Sequence, residues 1–354
     1  MKIRSFALAT MLIGTVALAG CGSGSGGAGE KKSGRLKLGF IYATTTQNPF
    51  QEMAYGAKAA AAADGDVTLN ASAPTGVNGP VQVQLFRSAI RSSPDGIALQ
   101  SLAPDLFVRP LNQAADNDIQ TVAVDAAAPP GTKTKLFVGN SNTEVGRALG
   151  EEFIKNVPAG TKGEVVIGND IPGLHLLEQR IQGLIAVIKK ERPTLTIKGP
   201  FDAKSEPTDN FNAWSAIVRN NPKAIAFLGV GAQDGVSLPL IKKQTGRKFL
   251  AGSCDLDPAA LKAVKDGSLF ALSSPEHWLK GYIAIQMLIQ SKRDGKKVPQ
   301  GWWNPGTLVV NGSNVDEVMK RQANEQSRNA YFKALADKQL DDPDKYLKPL
   351  DQAN

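Results

Sequence analysis

From Leu36 onward, short apolar runs alternate with amphipathic segments, and this alternation constrains the chain to parallel sheets covered by helices on both faces. The opening unit sets the pattern. Leu36, Leu38, Phe40 and Ile41 form a strand-sized apolar run, and Phe50, Met53, Ala54, Ala57 and Ala61 then recur at helical spacing. The polar loop between them ends in Asn48, which suits a helix N-cap, followed by Pro49 at the first helical position and Gln51 at the third. A loop that carries a strand into a helix N-terminus is where ligands bind in open α/β sheets. Further strands are expected at 67–71, 96–99, 121–124, 135–138, 164–167, 195–199, 224–228, 248–251, 268–272 and 307–310, with helices between them. A strongly apolar helix is expected at 278–293, and a polar, helix-rich tail from 315.

At 354 residues the chain is long enough for two cores, and the polar run Gly139-Asn140-Ser141-Asn142 reads as the start of a second domain. Residues 1–20 read as a secretory signal: Lys2 and Arg4 precede an apolar run at 6–18 that is short for a membrane span. Leu18-Ala19-Gly20-Cys21 resembles a bacterial lipobox, so Cys21 is expected to carry lipid and to hold the protein at a membrane surface. The stretch 22–33 reads as a flexible tether. Its formal G-x-G-x-x-G at Gly22, Gly24 and Gly27 has neither the preceding strand nor the following helix that a dinucleotide site needs.

Composition excludes several classes. The net charge is +8, with Lys2 and Arg4 in the leader and the rest dispersed, which argues against a nucleic-acid partner. Two cysteines and two histidines cannot build a disulfide framework or a histidine-rich metal site, and no cofactor is expected. There is no G-x-S-x-G and no H-E-x-x-H, so a hydrolase is disfavoured.

Five pieces, in order, carry a resemblance. They are Asn48-Pro49-Phe50, Asp95-Gly96-Ile97, the segment 119–125 ending in Asp125, Arg180-Ile181-Gln182-Gly183, and Asp255 followed by Ala263-Val264-Lys265-Asp266-Gly267. Together they resemble the type I periplasmic solute-binding proteins, specifically the ribose-binding-like sugar receptors of ABC importers. The resemblance implies an α/β fold of two Rossmann-like domains joined by a three-crossover hinge, with the ligand in the cleft between them. It assigns 35–139 plus 276–303 to the first domain and 140–275 plus 304–354 to the second, with crossovers near Asn140, Pro275 and Asn304. The implied protein is a monomer that captures a sugar, polyol or amino sugar and delivers it to an ABC permease. A sensory receptor of the same fold is the alternative.

Sugars present apolar ring faces to aromatic side chains and hydroxyls to carboxylates and amides. By resemblance, Asn48 and Phe50 fall on the first-loop contacts, Gln100 on a strand end, and Asp125 and Asp255 on paired strand-end carboxylates. Glu178 stands where the family carries an arginine, Trp214 and Glu276 are further candidate contacts, and Arg180 aligns with a structural position. Gln51 replaces an aromatic residue and Ala126 an arginine. These departures predict an acidic cleft that would suit a cationic ligand or one with many donors. Gly229-Val230-Gly231 reads as a second-domain ligand loop, Trp302 and Trp303 as interdomain packing, and Cys254 as a buried thiol.

Overall fold

A computed structural model describes residues 34–353; the expected signal peptide, Cys21 and the tether lie outside the described residues. The chain runs β1 (Leu36–Ile41), α1 (Asn48–Asp64), β2 (Val67–Ser72), α2 (Gly79–Ser92), β3 (Gly96–Gln100), α3 (Val108–Asp116), β4 (Thr121–Val124) and β5 (Leu136–Val138). It continues through α4 (Asn142–Lys155), β6 (Gly163–Asn169), α5 (His175–Glu191), β7 (Leu195–Asp202), α6 (Pro207–Asn220), β8 (Ala224–Leu228), α7 (Asp234–Thr245), β9 (Leu250–Cys254), α8 (Pro258–Lys265) and β10 (Ala271–Ser274). The last elements are α9 (His277–Asp294), β11 (Gly301–Trp303), β12 (Leu308–Asn311), α10 (Val315–Gln322), α11 (Glu325–Asp341), α12 (Pro343–Tyr346) and β13 (Leu347–Lys348).

The strands form two sheets, ordered β13-β11-β5-β4-β3-β1-β2 and β12-β10-β9-β8-β6-β7. All pairings are parallel except those of β13 with β11 and β12 with β10, both at sheet edges. Strands β3, β4, β5 and β10 are buried along their whole length, as expected for parallel strands covered on both faces.

Each sheet is backed by a helix pair that approaches through glycine. A Cβ on Gly56 of α1 would lie 1.9 Å from the Trp278 carbonyl oxygen of α9, and one on Gly281 of α9 would lie 1.9 Å from the Met53 oxygen of α1. The second sheet repeats the device: Gly146 of α4 meets the Arg180 oxygen of α5 at 1.8 Å, and Gly183 of α5 meets the Thr143 oxygen of α4 at 2.0 Å. Backbones this close leave no room for a methyl group.

The chain passes between the sheets at 139–141, 275–276 and 304–307, and the tail adds a fourth passage at 323–324. This corrects the expectation that 304–354 stays with the second domain. Val315 and Val318 of α10 do join the second core, but Phe332 and Ala336 of α11 join the first, and β13 extends the first sheet. The reason is aromatic packing: Trp278 stacks on Tyr282 and Phe332 at 4.8 and 5.2 Å between centroids, and Trp303 stacks on Tyr346 at 5.8 Å.

Candidate ligand-binding cleft

The two lobes present matching turns to one another. Asp125 follows β4 and Asp255 follows β9, each with φ at 67°, and each donates its backbone N–H over 2.9 Å to a carbonyl at the neighbouring strand, Val138 and Ser273 respectively. A left-handed backbone at a non-glycine residue is uncommon, and its repetition aims two carboxylates into the space between the lobes.

Those carboxylates are joined by a continuous buried chain. Lys280 of α9 donates to Asp125 and lies 3.4 Å from His277 Nδ1. His277 Nε2 lies 2.8 Å from Asp255 Oδ1, and Arg180 donates to Asp255 Oδ2 at 3.3 Å. Arg180 also donates to Asn142 Oδ1 at 3.0 Å and to the Val230 oxygen at 2.8 Å. With Nδ1 facing an ammonium and Nε2 facing a carboxylate, the contacts assign His277 as the neutral Nε2–H tautomer. Burial, then the neighbouring Lys280 charge, holds its pKa below the ordinary imidazole value against the pull of Asp255. Burial opposes the charge on both aspartates, yet Lys280 beside Asp125 and Arg180 beside Asp255 outweigh it and hold both carboxyls below the usual range.

Asp170, in the loop after β6, lies against Gly231 so closely that a Cβ there would meet its carboxylate at 1.9 Å. Burial, and then the charge of Asp234, raise the Asp170 pKa well above the carboxylate norm. Asp234 accepts from Trp214 Nε1 at 2.5 Å, Asn210 at 2.9 Å and the Gly231 N–H at 3.0 Å. Asp170 also accepts from Asn210 Nδ2 at 3.5 Å, so the two carboxylates share one amide donor.

Phe50, Asp125, Asp170, Arg180, Asp255 and His277 line one polar chamber of about 50 Å³. Gln47, also in its wall, donates to the Ser205 oxygen at 3.4 Å, a direct contact from the first lobe to the second. A larger cavity of about 680 Å³ adjoins it, and Leu102, Asp125, Ile171, Leu174 and Leu176 are common to both walls.

The other expected contacts lie elsewhere. Glu178 is half-buried and accepts from Asn169 at 2.9 Å and the Gly173 N–H at 3.1 Å, bracing the β6–α5 loop; Arg180, read as structural, faces the chamber. Trp214 is wholly buried in the second core, its ring under Gly168 and edge-on to Phe227. Glu276 forms a two-pronged pair with Arg321 of the tail at 2.9 and 3.0 Å, outside the polar chamber. Gln100 turns its Oε1 back to the Ala43 N–H at 2.9 Å, and its buried Nε2 has no partner. Asn48 is the first helical residue rather than the N-cap, a position taken by Gln47, and its buried Oδ1 is unpartnered. Gln51 donates to the Thr45 oxygen at 2.8 Å instead of capping α1. Trp302 and Trp303 donate to the Gly139 oxygen and to Gln339, within the first lobe and its tail. Cys254 is a buried thiol that desolvation pushes up to about 12.

The acidic-cleft expectation is therefore corrected, because Lys280 and Arg180 each neutralise one aspartate. Sequence reasoning missed Gln47, Asp170 and Lys280. The available signal was His277 and Lys280 three residues apart, on one face of the helix that follows the second crossover. Among the described residues no His, Cys, Asp and Glu cluster could hold a metal, and no helix is long and apolar enough to cross a membrane.

Known proteins are similar at several levels. Over 265 residues, 70% of this chain and 64% of the relative's own length, the sequence is 24% identical to a xylose/arabinose-binding protein of Sulfolobus acidocaldarius. A glucose-galactose binding protein from Geobacillus stearothermophilus superposes with a TM-score of 0.70 at 23% identity, covering 79% of this chain and 98% of that one. A solute-binding protein from Agrobacterium vitis with bound D-fucose gives 0.72 at 23%, covering 79% and 97%. One from Burkholderia graminis in complex with D-arabinose gives 0.72 at 22%, covering 80% and 98%. The family model described as the periplasmic binding protein domain matches residues 38–297, and with the two-sheet architecture around this cleft it shows that the chain belongs to the periplasmic binding protein family, in its ribose-binding-like type I form.

Proposed function

We propose that this protein is an extracytoplasmic solute receptor, anchored through lipid on Cys21, that captures a sugar between its lobes and delivers it to an ABC permease. The observation that carries this reading is the polar chamber, to which both lobes contribute buried charged groups in one hydrogen-bonded chain. Hydroxyls of a sugar would donate to Asp125 and Asp255 and accept from Arg180, while Phe50 offers an apolar face. Because each aspartate already has a cationic partner, a neutral sugar suits the site better than a cationic one. The names of the relatives point to pentoses and hexoses. A ligand that touches both lobes only when they are together favours the closed form by its differential affinity, which is the signal a permease reads. We read the protein as a monomeric binder rather than an enzyme.

The test is calorimetric titration and thermal shift with xylose, arabinose, glucose, galactose and fucose. At least one is expected to bind and raise the melting temperature, and Phe50→Ala is expected to weaken that binding while the protein stays folded. Binding by none of the folded protein's candidate sugars or their glycosides would sink the sugar assignment.

A further inference from the structure

The polar chamber, at about 50 Å³, has room for a few waters or hydroxyl groups, since one water needs about 10–15 Å³. A sugar that reaches the charged chain therefore has the body of its ring in the adjoining cavity of about 680 Å³, within the roughly 300–1,000 Å³ typical of small-molecule sites. Ala126, Ala127 and Ala128, directly after Asp125, leave that space open. Its wall also carries the polar side chains of Asp105, Asp125, Asn140, Asn142, His175 and Gln179.

These six are not equivalent. Asp105 and His175 are exposed and Gln179 is half-buried, so water can serve them. Asp125, Asn140 and Asn142 are at most 4% exposed and must find their partners inside the protein. Lys280 donates to Asp125, and Arg180 Nε donates to Asn142 Oδ1. Asn140 is only half satisfied. Its Nδ2 donates to the Gly306 oxygen, while its buried Oδ1 has no partner. Among the described residues, no other side chain in the walls of the cavity or the chamber has a buried polar atom left in that state.

Turning the amide over would not relieve this. A flip would set its oxygen against the Gly306 carbonyl oxygen, two acceptors with no proton between them. The backbone beneath it is held as well: Asn140 lies in the first passage between the sheets and Gly306 in the third. Beside them, Gly139 donates its N–H to the Trp303 oxygen at 3.0 Å, and Trp302 Nε1 donates to the Gly139 oxygen at 2.6 Å. The hinge thus fixes one acceptor in a residue of the cavity wall, and a buried acceptor is costly to leave unpaired.

We propose that Asn140 is a ligand-binding residue carried on the hinge, its Oδ1 accepting from one ring hydroxyl of a sugar seated in the larger cavity. The inference rests on the sugar-binding reading above and adds a specificity-determining contact to it: the sugar must present a donor at that ring position. Because Gly306 already orients the amide, little side-chain freedom is lost when the hydroxyl arrives.

A cycle of variant against deoxy sugar tests it. The most tightly bound sugar of the panel above and its monodeoxy analogues are titrated into wild type and Asn140→Ala, with folding checked by thermal melts. In wild type, removal of one particular hydroxyl is expected to weaken binding about tenfold. Asn140→Ala is expected to weaken the parent sugar by a similar factor and to make that one deletion cost less than about twofold, because the partner is already gone. Asn140→Ser, too short to bring an oxygen to the same place, is expected to give the same pattern and serves if the alanine variant does not fold. Equal weakening of the parent sugar and of every analogue would mean that Asn140 only shapes the hinge, and overturns the contact; so does undiminished binding by a folded variant. In both cases the sugar reading stands. Failure of every sugar to bind wild type removes that reading, and the contact with it.

Discussion

Arg180 and Asp255 expose only 3% and 5% of their side chains, so each depends on its protein partners, the other's charge among them, rather than on water. Arg180→Met is expected to leave Asp255 buried and charged with His277 but without its cationic partner, at a cost of about 3–5 kcal/mol read as a lower urea midpoint, together with lost ligand binding. An unchanged midpoint would show that the pair is not a structural link. His277 makes a second prediction. Its folded pKa is depressed, so its contribution is present in full above about pH 6.5 and is lost as the pH falls and the unfolded chain takes up the proton first. Raised pKa values at Asp170 and Glu52 move the absolute curve the other way, so the readout is the stability difference between wild type and His277→Gln. That difference is expected to shrink, or move against wild type, between pH 7 and 5; a flat difference would mean His277 does not titrate in this window. At this scale Asp125 and Asp255 were legible through the family resemblance, which places a carboxylate at the end of a corresponding strand in each half. Glu178 and Arg180 were exchanged because two residues along a helix rotate a side chain by about 200°, so an alignment uncertain by two positions swaps the cleft face for the loop face.

The helix pairs α1–α9 and α4–α5 carry the cationic and imidazole groups that meet the two strand-end aspartates. Arg180 is on α5, His277 and Lys280 are on α9, and both helices are seated by glycines whose added Cβ would meet backbone at 1.8–2.0 Å. Gly→Ala inside a helix ordinarily favours the helix by about 1 kcal/mol. At Gly56 and Gly183 the opposite sign is expected, because the partner backbone must withdraw: each Gly→Ala should lower stability by roughly 1–3 kcal/mol and weaken binding, measured by denaturant melts and titration. Gly76, with nothing within 4 Å of a built Cβ, is the control, expected to leave binding unchanged. Equal effects at all three positions would remove the close-packing argument. The period of these helices could be read from the chain, but a glycine inside a helical pattern does not announce which other segment approaches it.

Across the whole molecule, the tail ties both lobes together. Its α10 packs with the second core, Arg321 pairs with Glu276 at the second passage, and Arg328 pairs with Glu52 of α1 at 3.2 Å before α11 covers Trp278. Deleting residues 324–354 uncovers Trp278 and Trp303. The truncated protein is expected to show red-shifted tryptophan emission and a melting temperature lower by several degrees, about what a loss of 1–2 kcal/mol produces in a domain of this size. Emission and melting unchanged from full length would mean that the tail is not part of the first core. The sequence reading left the tail with the nearer lobe because its helices are polar and only a few aromatic residues, Phe332 and Tyr346 among them, commit it to the farther one.

The order of strands and helices and the two similar halves were determined by the sequence alone, since hydrophobic period and local turn chemistry act over a few residues and leave their mark there. The tertiary structure decided which charges meet. Lys280 reaches Asp125 across 155 positions of chain and Arg180 reaches Asp255 across 75, and such pairings depend on how rigid elements stack rather than on any local preference. It also decided the shape of the cleft, because a cavity is set by the side chains that fail to fill it, and the three alanines after Asp125 acquire that meaning only opposite Ile171 and Leu174.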